Sequence, residues 1–435
     1  MIAVFERCTV SDAETELHLL LPGLPVAQAE ARLSRWRLLS RRQRVTKRVK
    51  ERVADAPDEI EFRGRRTVWT LHRWLGARVE VVLDAGKLVA GERNAPVLGL
   101  RLVLREGPAD ALYALAQAFA SSLAVLPDPE GLAERAKRWG RDEAPLAWTA
   151  RPVRLATRVS PLAAAAQVLA GCFDQFVRNL VSMRDTDDPE VVHQARVAWR
   201  RWRSAVRLFS PWLLRRLEAD GLAPLLQALG PLRDLDVLRD DTLGRWLPHF
   251  VGSDAKRQAI AERVIQQIDE QRAALRAHVR EELARPAPGQ ALLALAGWLH
   301  QLAEDAAAVD QSPVPKGGRA RSRDDWAERR LRKLRRRLEK AVADSHRSPT
   351  DSQRSHRVRI LAKRTRYAAE MLGDLLPPKR AKALVKRMSQ TQTRLGEERD
   401  LRQALVLLEG LGSDATLIAF LHGVLSVTSH HSIGN

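Results

Sequence analysis

Up to residue 107 the apolar positions alternate with polar ones or gather in short runs bounded by Gly, Pro or Asp. Four such stretches predict strands: ETELHLLL (14–21), RRTVWTLHRW (65–74), ARVEVVLDAGKLVA (77–90) and VLGLRLVLREG (97–107). Between and after them, VAQAEARLSRWRLL (26–39) and PADALYALAQAFASSLAVL (108–126) carry the three- and four-residue spacing of amphipathic helices. Past the Pro-containing joint WTARPVRL (148–155) the strand signal fades. The remainder reads as long amphipathic helices punctuated by Pro and Gly. The pattern predicts an α+β domain over 1–150 and an all-α domain over 155–430. QSPVPKGGRARSR (311–323) has the composition of a linker inside the second domain.

The two sides of that linker repeat each other. HQARVAWRRWR begins at His193 and HRVRILAKRTR at His356; LGPLRDL follows from Leu229 and LGEERDL from Leu395. The motifs run in the same order, with offsets of 356 − 193 = 163 and 399 − 233 = 166 residues. An internal duplication over 155–310 and 324–430 accounts for this, and predicts two helical halves related by pseudo-symmetry.

At 435 residues the chain is long enough for two or three domains of roughly 150 residues and needs no staples. Its apolar share of 45% excludes wholesale disorder. Only Cys8 and Cys172 occur, far apart, which excludes a disulfide framework or a cysteine zinc site and fits a reducing cytosol. No apolar run approaches the roughly 18 residues of a membrane span. The opening MIAVFERCTVSDAE places acids where a signal peptide needs an apolar core, so a cytoplasmic location is expected. A P-loop, an H-E-x-x-H pair and a nucleophile elbow are all lacking in the sequence, and no cofactor is implied.

Charge changes the picture more than the rest of the composition. The net charge is +20; residues 1–150 hold 24 basic and 20 acidic side chains, leaving 49 and 33 for the remainder, or +16. Such a surface attracts polyanions. Only 12 of the 73 basic residues are Lys, a bias that suits forked bonding to phosphate, although a GC-rich genome produces it too.

The spacing of the cations narrows the class. With each His as position zero of a helix turning about 100° per residue, positions +3, +7, +10 and +14 share one face. They hold Arg196, Arg200, Arg203 and Arg207 in the first copy, and Arg359, Lys363, Arg366 and Glu370 in the second. Arg201 and Arg364, both at +8, flank the stripes. The apolar face is separate: Ala195, Trp199, Trp202, Val206 and Phe209 in one copy, Val358, Ala362, Thr365, Ala369 and Leu372 in the other. Like charges at these spacings repel, whereas a purely structural helix alternates signs. Ten residues of such a helix span about 15 Å, enough for several successive phosphates of a linear polymer. Asp188-Pro189 places His193 near a helix start, and Pro349–Ser352 does the same for His356, where anions are favoured. Packed or capping histidines are the alternative. Arg233-Asp234 and Arg399-Asp400 are either ligand-orienting pairs or ordinary helix-end ion pairs.

HQARVAWRRWRSAVRLF with LGPLRDLDVL, echoed by HRVRILAKRTRYAAEML with LGEERDL, resembles the CHAD family of histidine-marked α-helical domains over about 155–430. The resemblance implies two pseudo-symmetric four-helix-type bundles, binding of inorganic polyphosphate in a basic groove between them, and association with polyphosphate granules. Carried over, His193, Arg196, Arg200, Arg203, His356, Arg359, Lys363 and Arg366 line the groove and Arg233 and Arg399 support them. Arg207, whose counterpart in the second stripe is Glu370, and the flanking Arg201 and Arg364 complete the expected polyphosphate-binding residues. Residues 1–150 resemble the CYTH domain, a triphosphate tunnel fold that often precedes CHAD. Glu14 and Glu16 match the start of its E-x-E-x-K signature, with His18 in the Lys position. Arg101 and Val103 stand where that fold needs acids to hold metal, so a degenerate, closed antiparallel barrel with Glu14 and Glu16 as vestigial ligands is expected. The overall expectation is a non-catalytic polyphosphate-binding protein. The alternatives are a nucleic-acid-binding helical protein, which 5% aromatic content and the lack of a stacking platform disfavour, and a metal-dependent triphosphatase.

Overall fold

The computed structural model describes residues 15–40, 42–53, 60–156, 159–213, 219–311, 325–347, 352–376, 383, 386 and 399–433. The N-terminal region is a six-stranded antiparallel sheet in the order β2-β3-β4-β5-β1-β6. Its strands are β1 (Thr15–Leu20), β2 (Gln43–Arg52), β3 (Glu61–Trp74), β4 (Ala77–Ala90), β5 (Arg93–Glu106) and the two-residue β6 (Leu126–Pro127). The strands expected at 65–74, 77–90 and 97–107 are present, β3 and β5 beginning four residues earlier, and within 14–21 the described residues Thr15–Leu20 form β1. β2 has no counterpart in the sequence reading: of its ten residues only Val49 is buried, so no alternation marks it.

The sheet is open, which corrects the expected closed barrel. β2 and β6 occupy opposite edges and do not pair with each other. β2 guards its edge with Arg44, Lys47, Arg48, Lys50 and Arg52, a charge density that discourages further strand pairing. Where β3 crosses β4, Gly64 and Gly86 approach so closely that a Cβ on Gly64 would lie 2.5 Å from the Ala85 carbonyl oxygen. Helices α1 (Val26–Arg35) and α2 (Asp110–Ala120) cover one face, burying Trp69, Leu71, Val79, Val81, Leu100 and Leu102. Helix α3 (Gly131–Gly140) covers one end of the other face.

The helical region comprises α4 (Pro161–Ser182), α5 (Pro189–Phe209), α6 (Ala223–Asp236), a π-helical stretch (Val237–Leu243), α7 (Gly244–Val251), α8 (Ala255–Leu283), α9 (Pro286–Gln311), α10 (Asp325–His346), α11 (Ser352–Met371), the helical run α12 (399–410) and α13 (Ala415–Ile433). The expected linker lies, beyond Gln311, outside the described residues.

The buried clusters cut across the sequence repeat. One joins α4, α5, α9, most of α6 and the end of α8 with α10 and α11; the other joins the last turn of α6, α7 and the first half of α8 with α12 and α13. Each core therefore draws on helices from both sides of the 312–324 segment. The sheet and helical regions also share a core: α2 packs on α9, and Leu293 of α9 is fully buried among the apolar residues of the sheet. The connecting segment is pinned to α4 by Asn179, whose side chain accepts from Trp148 N at 3.0 Å and donates to Trp148 O at 2.9 Å.

Candidate anion-binding site

α5 starts where Asp188-Pro189 predicts. The Asp188 carboxylate accepts from Glu190 N at 2.8 Å and Pro189 opens the first turn, which sets His193 in the second turn. The apolar face also holds: Ala195, Trp202 and Phe209 are buried, as are Val358, Ala362, Thr365 and Ala369 of α11 and Leu372 just after it. Thr365 satisfies its hydroxyl by donating to Leu361 O at 2.8 Å. α5 and α11 pack against each other along this face, so their cationic faces are brought together.

Seven of the expected residues converge. Arg196 of α5 lies within electrostatic reach of Arg200, Arg233 and Arg399, with Asp234 opposing them. Arg359 of α11 lies within reach of Arg399 and Arg200, and Lys363 within reach of Arg359, Arg200, Arg399 and Arg366. His193 joins the same group through Arg233 and Arg200. Among the described residues, no carboxylate makes an ion pair with Arg196, Arg200, Arg359, Lys363 or Arg399. This concentration of charge is costly. Partial burial, then the neighbouring cations, pulls the Arg196 and Arg359 guanidinium groups below their ordinary pKa and brings the Lys363 ammonium down to about 8. His193 is also pulled down, by burial first and then by Arg233, which favours the neutral imidazole.

The remaining expected residues divide into three groups. Arg203, Arg207 and Arg364 form a second cationic patch, and the first two border a cavity of about 680 Å³ lined by Trp199, Trp202 and Trp298. Arg201 and Arg366 are both held by Glu370, at 3.4 and 3.1 Å, so the residue that breaks the second stripe ties the two helices together. His356 lies on the second turn of α11. The conformation of its side chain is outside the described residues.

In the second Arg-Asp string Arg399 acts electrostatically on its own neighbour Asp400, whereas the first string is arranged differently. Arg233 pairs with Asp241, 3.6 Å away on the π-helical stretch, while Asp234 opposes Arg196. The turn carrying them is anchored by a residue the sequence reading missed. Asp236 is fully buried and accepts from Arg272 Nε at 2.9 Å and Arg276 Nη2 at 3.3 Å. Arg272 also donates to Asp269 and Asp240, each at 3.1 Å. The second acid of L-R-D-L-D was the available signal, since an Asp on the apolar side of a helix demands a cation. Gly230 leaves room for Arg196, whose Nη1 would lie 3.4 Å from an added Cβ.

On the sheet, Glu14 lies outside the described residues. Glu16 is already neutralised: it accepts from Arg101 Nη1 at 3.3 Å and shares a 3.1 Å contact with His18 Nε2. The His18 hydrogen bond, then Arg101, holds its carboxyl below the ordinary range. Arg101 also reaches Asp84 at 3.6 Å, and Arg66 binds Asp84 at 2.6 and 3.2 Å. Arg101 therefore supplies positive charge to both Glu16 and Asp84. Among the described residues, no three His, Cys, Asp or Glu side chains are grouped to hold a metal ion. No helix among them is long and apolar enough to cross a membrane.

The paired stripes and the Arg-Asp turns are matched by a family model, that of the CHAD domain, over residues 167–409. The chain belongs to the CHAD family. The crystal structure of the CHAD domain from the plant Ricinus communis is similar to this CHAD protein with a TM-score of 0.55 and 27% identity, over 67% of this chain and 93% of that one. No curated protein matches the chain. The family match leaves the sheet region outside it.

Proposed function

We propose that this CHAD protein binds inorganic polyphosphate, without catalysis, at the cationic cluster where α5, α11, α6 and α12 bring His193, Arg196, Arg200, Arg233, Arg359, Lys363 and Arg399 together. The observation that carries this reading is the convergence of cations from both motif copies, of which Arg196, Arg200, Arg359, Lys363 and Arg399 have no ion-paired carboxylate among the described residues. Such a cluster raises the energy of the free protein and is relieved by an extended polyanion. Arg203, Arg207 and Arg364 would prolong the track. The helical hairpins α4–α5 and α10–α11, each ending in a histidine-marked helix, support a pseudo-two-fold relation between the stripes. Cytoplasmic residence and association with polyphosphate granules complete the proposal.

Fluorescence titration with long-chain polyphosphate tests it. An Arg196→Glu, Arg200→Glu, Arg359→Glu, Lys363→Glu variant should lose binding, and equal affinity in variant and wild type would sink the assignment. Competition at equal phosphate concentration separates polyphosphate from DNA, because any polyanion gives salt-dependent binding. For the sheet domain, with Glu16 tied to Arg101, tripolyphosphate should release no phosphate in magnesium or manganese. Release abolished by Glu14→Gln with Glu16→Gln would restore the triphosphatase reading.

A further inference from the structure

Lys363 differs chemically from the other cations of the cluster. Guanidinium groups surround it: Arg359 and Arg366 on its own helix, Arg200 on α5 and Arg399 on α12. Arg366 is engaged by Glu370, and Asp400 on α12, an acid within electrostatic reach of Lys363, has its own carboxyl pushed up by burial. No carboxylate pairs with Lys363 among the described residues, and the side chain is half-buried. By contrast, Lys256, Lys333 and Lys340 are exposed on helix surfaces.

We propose that Lys363 is a chemical acylation site, modified by small acyl phosphates whose phosphate group the surrounding arginines hold. An amine beside several cations is the arrangement that activates lysine as a nucleophile, and forked guanidinium groups bind the phosphate end of the reagent. The neutral amine attacks the carbonyl carbon and a C–N bond forms. The C–O bond to the phosphate breaks, inorganic phosphate leaves with the bonding pair, and the nitrogen loses its proton to water. The product is an N-acyl-lysine, and one cation is removed from the centre of the track. The low pKa of Lys363, about 8, supplies the neutral amine near neutral pH. Acylation would then tune polyanion affinity, a consequence that rests on the polyphosphate reading; the modification itself does not.

The test uses the full chain and acetyl phosphate as the probe, with site occupancy followed by peptide mass spectrometry. Lys363 should acetylate at least about tenfold faster than Lys256 and Lys340 at pH 8, since an ordinary lysine is almost wholly protonated there. Its rate should saturate with acetyl phosphate and fall when inorganic phosphate competes. Acetic anhydride, which has no phosphate, should favour Lys363 less. Arg399→Gln should slow acetylation by acetyl phosphate more than acetylation by the anhydride. A Lys363 rate within about twofold of Lys256, or one that rises linearly with acetyl phosphate and ignores competing phosphate, would overturn the assignment. Polyphosphate titration of the acetylated protein is read separately. Unchanged affinity there, alongside rapid acetylation, would count against the polyphosphate track and leave the modification standing.

Discussion

Polyphosphate affinity should fall as pH rises through the range in which Lys363 loses its proton. In the free protein burial, then Arg359, Arg200, Arg399 and Arg366, brings this ammonium down to about 8. A bound polyanion offsets the guanidinium charges and favours the ammonium, so binding takes up a proton. The sign follows: this contribution is complete below pH 8 and is lost above it. The protonated fraction of the free group drops from about nine-tenths at pH 7 to about one-tenth at pH 9, a change of about tenfold in affinity from this one site. His193 titrates lower, because burial and Arg233 depress it, and it leaves this window to Lys363. Fluorescence titration at constant ionic strength measures the slope, with long chains so that titrating end groups are few. Calorimetry in two buffers of different ionisation enthalpy counts the protons taken up. Lys363→Arg retains the charge and should flatten the profile. A flat wild-type profile from pH 7 to 9, or an undiminished slope in the Arg variant, would refute the reasoning.

Three further expectations rest on other parts of the site. Replacing Arg196, Arg200, Arg359 and Lys363 by Gln should lower the slope of log affinity against log salt by about 3, at about 0.7 per cation for a single-stranded polyanion. Glu370→Gln should release Arg201 and Arg366 from their ion pairs; polyphosphate should bind a few-fold more tightly, and denaturant unfolding should show a loss of at most about 1 kcal/mol. Asp236→Ala should cost about 3 kcal/mol in the same unfolding assay, because it leaves the buried Arg272 with only Asp240 and Asp269.

The site was legible because it is periodic. The phasing of the stripes on α5 and α11 follows from helical geometry alone, and the Asp188-Pro189 start is a local signal. What the sequence does not carry is the partner of each charge. Arg233 pairs with Asp241 because the π-helical stretch after α6 brings that acid back toward it, and nothing in the Arg-Asp string marks this irregularity. Glu370 reads as a gap in a stripe, yet it bridges two helices once α5 and α11 pack. The sheet failed for the complementary reason. β2 is charged and exposed on both faces, so it lacks the alternation by which β3 and β4 are visible. Closure of a barrel depends on which edges meet, a property of the whole sheet rather than of any strand. The repeated motifs are visible in the sequence, while the division of the buried cores is not, because the last turn of α6, α7 and the first half of α8 pack with α12 and α13, which follow the second histidine-marked helix.

The cost of holding these cations together separates stability from affinity. The apolar faces of α5 and α11, with Trp202, Phe209, Tyr367 and Leu372 in one core, force the basic faces into proximity that the charges themselves oppose. Added salt screens that repulsion in the free protein and should raise its melting midpoint. The same salt favours release of bound polymer, so affinity should fall over the same range. Polyphosphate at low salt should raise the midpoint by mass action, since it binds the folded cluster and not a dispersed set of arginines. The Arg196→Gln, Arg200→Gln, Arg359→Gln, Lys363→Gln variant removes both effects at once. Its midpoint at low salt should exceed that of the wild type, and it should respond weakly to salt and to polyphosphate. Differential scanning fluorimetry across a salt series reads all of these shifts. If salt lowers the wild-type midpoint, or the neutralised variant melts below the wild type at low salt, the clustered cations stabilise the fold, and they cannot be the strained, ligand-ready surface inferred from their geometry.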